Sequence, residues 1–220
     1  MTELKIDVVS DVVCPWCFIG KRHLDKALAA WRLEQPKVQV SVRWHPYFLN
    51  PDTPEAGEPY RPFLERKFGG PEKLAAIWTR VSEAGLNAGI EFAFEKIELR
   101  ANTLHAHRLI HHSQKVSAGG DATGTLIEHL FSAQFIDGKY VGDRGVLTAI
   151  ASASGLDGIE VERYLASDED ISEVRANADE AQRMGIRGVP FFIFNGRISA
   201  SGAQPPEGLL SAMRQAIPPI

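Results

Sequence analysis

SDVVCPWCFIG, residues 10–20, contains both cysteines of this 220-residue chain. Residues 4–9, just before it, alternate between apolar and polar and end in an apolar pair, which favours a strand that enters a core. Pro15 suits the first position of a helix, where a missing N–H costs nothing. One apolar face then follows at helical spacing, formed by Leu24, Ala27, Leu28 and Trp31. The pattern predicts a strand, then a CxxC motif at a helix start, the context typical of a redox-active dithiol.

The chemistry expected of the two cysteines follows from their positions. At a helix start, unpaired backbone N–H groups and the positive end of the helix dipole favour the thiolate of Cys14. A thiolate is the form that attacks disulfides. Cys17, one turn later, is predicted to be less exposed and to resolve the mixed disulfide. Trp16 adds no cation beside Cys14, so we expect a couple less oxidising than that of a dedicated oxidase, and its ring offers an aromatic contact for apolar substrates.

Two other interpretations of the cysteine pair are a buried structural pair and half of a zinc site. A structural zinc ion takes four ligands, so histidines would have to supply two of them. The candidate histidines are His23, His105, His107, His111 and His112, and none has a compact zinc-finger spacing. His107 and His111 are four residues apart, a spacing that can chelate zinc, but no acid stands in the right register. We therefore predict no metal site and interpret these histidines as solvated or satisfied in the core.

Composition limits the function classes. Hydrophobic residues make up 44% of the chain, enough for a substantial core without disulfide staples. The net charge of −4 and a pI near 6.0 do not favour binding to nucleic acid or an anionic membrane. Residues 1–5 lack a basic region and a long apolar run, so no signal peptide is predicted, and no apolar run is long enough to span a bilayer. We expect a cytoplasmic protein, either a monomer or a homodimer.

The order of predicted elements indicates one fold interrupted by an insertion. Alternating valines at 38, 40 and 42 predict a second strand, and a proline-rich extended connector follows through residue 62. The chain is then mostly helical until a last helix stops at Gly185. Residues 190–194 predict a strand, Asn195-Gly196 a hairpin turn, residues 197–201 a second strand, and Pro205-Pro206 a closing helix. We predict an α/β module of residues 1–50 and 185–220 and a helical insertion of residues 51–184.

With these elements, the chain resembles the DsbA family of thioredoxin-fold proteins, in its FrnE-like branch. The resemblance rests on residues 10–20, on Gly188-Val189-Pro190-Phe191-Phe192 and on residues 201–206. It implies a thioredoxin-like fold with a large helical insertion. It also implies an enzyme that oxidises, reduces or isomerises protein or small-molecule disulfides. No bound cofactor is implied beyond the redox-active disulfide Cys14–Cys17, and glutathione is a candidate co-substrate.

The resemblance also assigns roles to residues outside the CxxC motif. Val189-Pro190 matches the cis-proline loop that faces the dithiol, where a substrate segment pairs as an added strand. A trans proline at the start of an edge strand is the alternative. Pro15 and Trp16 are expected to contact substrate. Gly202 and Gln204 lie where glutathione-using relatives hold part of that ligand, although hairpin exit and helix entry explain both residues equally well.

The chain departs from the resemblance at one position. Many thioredoxin-fold enzymes carry a buried acid six residues before the first cysteine, and this chain has Val8 there. Asp7 should point to the opposite face of the strand. Asp11 is the closest other acid, unless it only caps the turn before the helix. The group that accepts the proton of Cys17 is therefore open, with water as the plainest candidate.

Two other functions stay in consideration. One is a glutathione-dependent isomerase or transferase of aromatic or polyketide metabolism, similar to 2-hydroxychromene-2-carboxylate isomerase or kappa-class transferases. Those branches carry a serine at the first cysteine position, whereas this chain has Cys14. The other is a binding or chaperone-like module whose dithiol only switches its surface.

Overall fold

The structure is a computed structural model that describes residues 3–117 and 121–217. The chain begins with β1 (Glu3–Ser10), α1 (Pro15–Glu34) and β2 (Gln39–Pro46). Its middle contains β3 (Glu58–Pro59), α2 (Tyr60–Phe68), α3 (Pro71–Ala88), a short 3₁₀ turn (Phe94–Lys96), β4 (Leu99–Arg100), α4 (Leu104–Val116), α5 (Asp121–Phe135), α6 (Arg144–Ala153) and α7 (Gly158–Ala166). It closes with α8 (Ile171–Arg183), β5 (Phe191–Phe194), β6 (Ile198–Ser201) and α9 (Pro206–Ala216). Within the described ranges, no helix combines the length and apolar character needed to cross a membrane.

The order of elements confirms the prediction of a strand, a helix, a strand, a helical block, a helix, a hairpin and a closing helix. The strand order of the central sheet is β2-β1-β5-β6. β1 pairs in parallel with β2, and α1 is the crossover that a parallel pair requires. β5 runs antiparallel to β1, with Val9 opposite Phe191. The end of β1 and the start of β5 therefore meet at one edge of the sheet. This edge brings the CxxC motif next to residues 189 and 190.

The hairpin of β5 and β6 turns where the sequence predicted it. Asn195 and Gly196 both adopt positive φ, 49° and 64°, as an Asn-Gly turn requires. Phe191 lies opposite Ser201 in this hairpin, so the exit of β6 returns to the same sheet edge. The boundaries predicted for the insertion fall in the connector after β2 and just after α8, and the division into two units stays a prediction.

The apolar faces predicted for the helices are largely buried. On α1 the buried residues include Leu24, Ala27, Leu28 and Trp31, and on α5 they include Leu126, Ile127, Leu130 and Phe131. On α3, Leu74 and Val81 are buried while Ile77 and Trp78 are half-buried. Phe18 stacks on Phe131 at a ring distance of 5.2 Å. This aromatic contact joins α1, which carries the dithiol, to the inserted helices. In the sequence, Gly119-Gly120 predicts a helix break before the apolar stripe of α5, and these two glycines lie outside the described residues.

The insertion contains a small ladder that the sequence did not predict. β3 and β4 pair antiparallel, with Glu58 opposite Arg100, where we expected only an extended connector through Pro62. α2 already begins at Tyr60. A two-residue strand has no alternation to detect, and the ladder depends on distant partners. Arg100 pairs with Glu58 and stacks over the Phe63 ring at 3.6 Å.

A buried arginine organises the end of the insertion. Arg108 of α4 is 0% exposed. Its guanidinium donates to the carbonyl oxygens of Tyr164 and Ser167, each at 2.8 Å. Its Nε donates to the Glu169 carbonyl at 2.8 Å. These bonds add to the Ser167 N–H and hydroxyl that the Tyr164 carbonyl already accepts, and they tie the end of α7 and the loop that leads to α8 to α4.

Candidate active site

Cys14 and Cys17 lie where β1 ends and α1 begins. Cys14 is the N-cap residue and Pro15 the first residue of α1, as the sequence predicted. The backbone N–H groups of Cys17 and Phe18 donate to the Cys14 carbonyl at 3.0 and 3.4 Å. Both thiols are free, and Cys14 is 5% exposed while Cys17 is 1% exposed. Cys14 therefore adjoins the helix N-terminus, and Cys17 lies one turn deeper.

The loop before β5 faces the Cys14 sulfur. The Val189–Pro190 peptide bond is cis. The Val189 carbonyl oxygen lies 3.7 Å from Cys14 Sγ, within hydrogen-bond range for a thiol donor. Pro190 is buried, and its carbonyl accepts the N–H of Gly202 at 2.8 Å. The structure thus brings the predicted residues Cys14, Val189 and Pro190 together, while their roles in a reaction stay predictions.

Gly20 allows the Pro190 loop to approach α1. A Cβ at position 20 would lie 2.8 Å from Pro190 Cγ and 3.2 Å from Phe192 Cζ. Both distances are shorter than an ordinary carbon–carbon contact of about 3.5–4.0 Å. Glycine is a poor helix former, and a glycine inside a helix usually has a packing reason. Here the reason is the close contact between α1 and the loop opposite Cys14.

The pKa of Cys17 depends on its burial and on neighbouring groups, among them Ser10, for which the sequence predicted no such effect. Burial raises the pKa of Cys17 well above that of a free thiol, and the hydrogen bond and charge of Cys14 add to this effect. The Ser10 hydroxyl and the backbone of Asp11 oppose it by hydrogen bonding to Cys17. Cys17 therefore stays protonated in the resting site, yet it has two groups beside it that stabilise its thiolate.

Asp11 does not serve only as a cap for the turn. Its side chain is 1% exposed. Oδ2 accepts the N–H of Leu49 at 2.9 Å, and Oδ1 lies 3.3 Å from His107 Nε2. His107 is 4% exposed and meets the ring of Phe48 edge-on at 5.4 Å. Asp11 and His107 thus form a buried acid–imidazole pair, and Asp11 lies three positions before Cys14 in the sequence.

Two side chains of the insertion interact electrostatically with Cys14. Tyr60 opens α2, and burial raises its pKa, an effect to which the nearby charge of Cys14 adds. Partial burial and then the positive charge of Arg100 lower the pKa of Lys67, while the charges of Asp52, Asp11 and Cys14 oppose that shift. Lys67 also donates to Asn50 Oδ1 at 2.8 Å. A phenol and an ammonium group are thus the polar groups that the insertion brings near the dithiol.

Trp16 and Gln204, two of the predicted substrate contacts, both have neighbours within the protein. Trp16 is half-buried and packs against the core, so part of its ring supports the site and part is available for contact. Gln204 is exposed, but its Nε2 donates to the Ser201 carbonyl at 2.7 Å. His23 Nδ1 lies 2.8 Å from the carbonyl of Gln204, within hydrogen-bonding distance. The N–H of Gly202 donates to the Pro190 carbonyl. These bonds fit the hairpin-exit interpretation, and a ligand role of Gly202 and Gln204 stays a prediction.

The histidines of α4 have separate neighbours. His105 contacts Arg108 at 3.0 Å, and His112 stacks on Tyr164 at 4.4 Å. Among the described residues, one cluster has ligand atoms close enough to hold a cation, and it consists of His111, Asp170 and Glu173. The ammonium of Lys115 lies 3.1 Å from both oxygens of Asp170 and already neutralises that carboxylate. His107 faces Asp11, so His107 and His111 do not share a site although they are four residues apart.

Comparisons with known proteins agree with this arrangement. A family model described as a DSBA-like thioredoxin domain matches residues 5–214. The solved structure of a probable DsbA oxidoreductase from Streptomyces coelicolor superposes with a TM-score of 0.85 and 29% identity, covering 99% of this chain and 92% of that one. The uncharacterised protein YwbO of Bacillus subtilis is 25% identical over 200 residues, which is 90% of each chain.

A more distant neighbour shares the fold alone. The cytosolic disulfide reductase DsbM from Pseudomonas aeruginosa, solved with GSH, superposes with a TM-score of 0.64 and 15% identity, covering 96% of this chain and 95% of that one. The α/β architecture is thus a DsbA-like thioredoxin fold with a helical insertion, as the sequence predicted. Because the family model spans nearly the whole sequence, the chain belongs to the DSBA-like thioredoxin domain family.

Proposed function

We propose that this protein is a dithiol–disulfide oxidoreductase acting on protein or small-molecule disulfides. The observation that carries the proposal is the placement of Cys14. Its sulfur lies at the start of α1 and 3.7 Å from the Val189 carbonyl, with the Cys17 thiol one turn below. Helix N-termini stabilise thiolates, and a second thiol within reach allows a mixed disulfide to be released.

The reaction runs in two exchanges. The Cys14 thiolate attacks one sulfur of the substrate disulfide, the substrate S–S bond breaks, and the first substrate thiolate leaves. Cys17, once deprotonated, attacks Cys14 Sγ, and the second substrate thiolate leaves with the electron pair. The protein is then oxidised to the Cys14–Cys17 disulfide and the substrate is reduced to two thiols. The reverse sequence oxidises a dithiol substrate.

The substrate lies in the groove between the CxxC motif and the Val189–Pro190 loop. An extended segment pairs with the Val189 backbone as an added strand, so the main chain of a protein substrate is recognised without a fixed sequence. Pro15 and the accessible part of Trp16 contact its side chains. Isomerisation of a protein disulfide requires only that Cys17 resolves slowly enough for a second substrate thiol to attack.

Glutathione is the small thiol proposed as co-substrate. Lys67 brings an ammonium group near Cys14, which suits a peptide with carboxylates. DsbM, whose structure was solved with GSH, shares the fold. Gly202 and Gln204, at the exit of β6, are proposed to contact this ligand. We place the protein in the cytoplasm, where a reducing thiol pool recycles such a couple. Monomer and homodimer both fit the site, because the residues named come from one chain.

The proposal is preferred over a glutathione-dependent isomerase or transferase. Relatives with that activity carry a serine where this chain has Cys14, and they have no need of a second thiol beneath it. A redox-switched binding module predicts that Cys14 is dispensable for any turnover. Both alternatives therefore differ from the proposal in what the loss of each cysteine does.

Trapping of the mixed disulfide tests the proposal. Reduced protein is mixed with oxidised glutathione, and the reaction is quenched with acid. The mass of the intact protein is then measured by mass spectrometry. The wild type should pass to the intramolecular disulfide. The Cys17→Ser variant should stop with one glutathione attached to Cys14. The matched Cys14→Ser variant should form neither product at a comparable rate. A wild type that acquires no disulfide, or equal labelling of Cys14→Ser and Cys17→Ser, would overturn the proposal.

A further inference from the structure

Ser10, one of the groups that act on the pKa of Cys17, also lines a polar cavity. Cys17 is 1% exposed, and the Ser10 hydroxyl and the Asp11 backbone lower its pKa against the effect of burial. Ser10 ends β1, and it lines a cavity of about 350 Å³ between β2, α4, α5 and α8. Cys17 cannot attack until its proton has gone. The neighbour on this side is a hydroxyl, which can accept one proton while it donates another.

The cavity can hold water. It is lined by polar as well as apolar groups, among them Ser10, His45, His107 and Gln114. A water molecule occupies roughly 30 Å³ of liquid and needs two to four polar partners, which this lining supplies. A chain of water therefore has room to connect the Ser10 hydroxyl with the other groups that line the cavity.

His107 lines the same cavity and can act as its base. Its Nε2 lies 3.3 Å from Asp11 Oδ1, and the two side chains are 4% and 1% exposed. When Nε2–H donates to the carboxylate, the other ring nitrogen is left as an acceptor. Asp11 is held in turn by the N–H of Leu49 at 2.9 Å. The carboxylate orients the imidazole and stabilises the imidazolium that forms when a proton arrives.

We propose that the proton of Cys17 leaves inward, through the Ser10 hydroxyl and cavity water to His107, which Asp11 orients. This inference rests on the proposed function, because it concerns the second exchange of that reaction. In this path Ser10 takes the proton directly from Cys17, so it is the proposed catalytic residue. Asp11 and His107 act through it, and Asp11 is a positioning residue.

The step balances as follows. Cys17 gives its proton to Ser10 Oγ while Ser10 passes its own proton to water, and water passes one to the imidazole. The Cys17 thiolate attacks Cys14 Sγ, the Cys14–substrate bond breaks, and the substrate thiolate carries the electron pair away. The result is a Cys14–Cys17 disulfide, a free substrate thiolate and an imidazolium paired with Asp11. The imidazolium loses its proton to solvent through the cavity.

Several titratable or charged groups face His107 or the cavity that it lines. They are Asp11 after β1, Arg43 and His45 on β2, Lys67 on α2 near Asp11, His111 and Lys115 on α4, and Glu173 on α8. The lining residues of α5 are Ile127 and Phe131, which carry no charge. Because positive and negative charges are both present, the test relies on the comparison between variants and not on the midpoint of a single pH profile.

Rapid acid quench and intact-mass detection test the path, since they follow the two exchanges separately. Reduced protein is mixed with oxidised glutathione at several pH values. The formation of the mixed disulfide and its conversion to the intramolecular disulfide give two rate constants. Ser10→Ala and His107→Gln are compared with the wild type, with Ser10→Thr as the conservative variant. His129→Gln is the matched control, because that histidine bonds a serine hydroxyl elsewhere, at 2.9 Å from Ser154.

We expect the first exchange to be unchanged in every variant. Ser10→Ala and His107→Gln should slow the second exchange about tenfold or more, as expected when acid–base assistance is lost. Ser10→Thr, which keeps a hydroxyl, should be faster than Ser10→Ala in the second exchange, and His129→Gln should keep the wild-type rate. The wild-type second exchange should slow towards acid pH, where a base that accepts the proton of Cys17 is itself protonated, and His107→Gln should lose this dependence.

Two results would overturn the path while leaving the proposed function intact. One is a Ser10→Ala variant whose second exchange proceeds at the wild-type rate. The other is a His107→Gln variant with the rate and pH profile of the wild type. A wild type that forms no mixed disulfide would instead overturn the proposed function and the path with it. Thermal melts are recorded first, and if His107→Gln does not fold, the contrast of Ser10→Ala with Ser10→Thr decides the matter.

Discussion

Replacement of Gly20 by alanine tests whether close packing of α1 on the Pro190 loop sets the geometry of the dithiol site. The added methyl would lie 2.8 Å from Pro190 Cγ and 3.2 Å from Phe192 Cζ. To reach an ordinary contact of about 3.5–4.0 Å, the Pro190 ring must move by roughly 1 Å. Pro190 follows Val189, whose carbonyl lies 3.7 Å from Cys14 Sγ, so the shift changes the distance between the loop and the reactive sulfur.

The energy of this change has two opposing parts. Overpacking a well-packed site costs about 1–3 kcal/mol. Alanine is a better helix former than glycine by about 1 kcal/mol. We therefore expect Gly20→Ala to be destabilised by about 0–2 kcal/mol. A misplacement of about 1 Å can slow a reaction by up to about 10²-fold. We therefore expect a large fall in the exchange rate of Gly20→Ala beside a small loss in its free energy of unfolding.

Gly124→Ala is the matched control, because Gly124 also lies within a helix, α5, but a Cβ there has no neighbour within 4 Å. This variant should gain up to about 1 kcal/mol and keep its exchange rate. Urea unfolding gives the free energy of unfolding of each variant, and acid-quenched exchange with oxidised glutathione gives its rate. If Gly20→Ala were stabilised like Gly124→Ala and exchanged at the wild-type rate, the close contact would have no part in the site.

Two further predictions concern stability. Burial raises the pKa of Cys17 in the folded state, so its contribution to stability is fully present below the thiol pKa of the unfolded chain, about 8.5, and is lost as pH rises towards the folded value. Reduced wild type should lose up to about 1.4 kcal/mol per pH unit more than Cys17→Ala above that pH, and equal slopes in urea unfolding would contradict the assignment. Arg108→Met removes the guanidinium donors to the carbonyls of Tyr164, Ser167 and Glu169 from a fully buried position, so it should lose about 3–5 kcal/mol. The exposed Arg163→Met is its control and should stay within about 0.5 kcal/mol; similar Cm values for both would refute the anchoring role of Arg108.

The sequence predicted those parts of the fold that depend on local patterns. The apolar stripe of α1 that ends at Trp31 and the Asn195-Gly196 turn are each encoded within a few residues, because helical spacing and turn chemistry are local. The motif before and after Cys14 also predicts where the dithiol stands, since a strand end and a helix start leave little freedom. These elements are confirmed by the structure.

The rest of the site depends on contacts between distant segments. Tyr60 and Lys67 reach the dithiol from the insertion, and no spacing in the sequence connects them with Cys14. His107 was considered as a zinc ligand because His111 is four residues away, but in the fold it faces Asp11. Ser10 lies within the quoted motif, and its position at the end of a strand was the signal available for it. The ring of Trp16, which the sequence offers as an aromatic contact, is half-buried and packs against the hydrophobic core.

The central claim is that Cys14 and Cys17 form a couple that turns over. Its most direct test is the reduction of a disulfide substrate by catalytic amounts of protein, with dithiothreitol as electron donor and the substrate thiol measured over time. The wild type should accelerate the reaction through many turnovers, Cys14→Ser should give the rate of dithiothreitol alone, and Cys17→Ser should lag because its mixed disulfide accumulates. A wild type no faster than dithiothreitol alone, or a Cys14→Ser variant as fast as the wild type, would contradict the account.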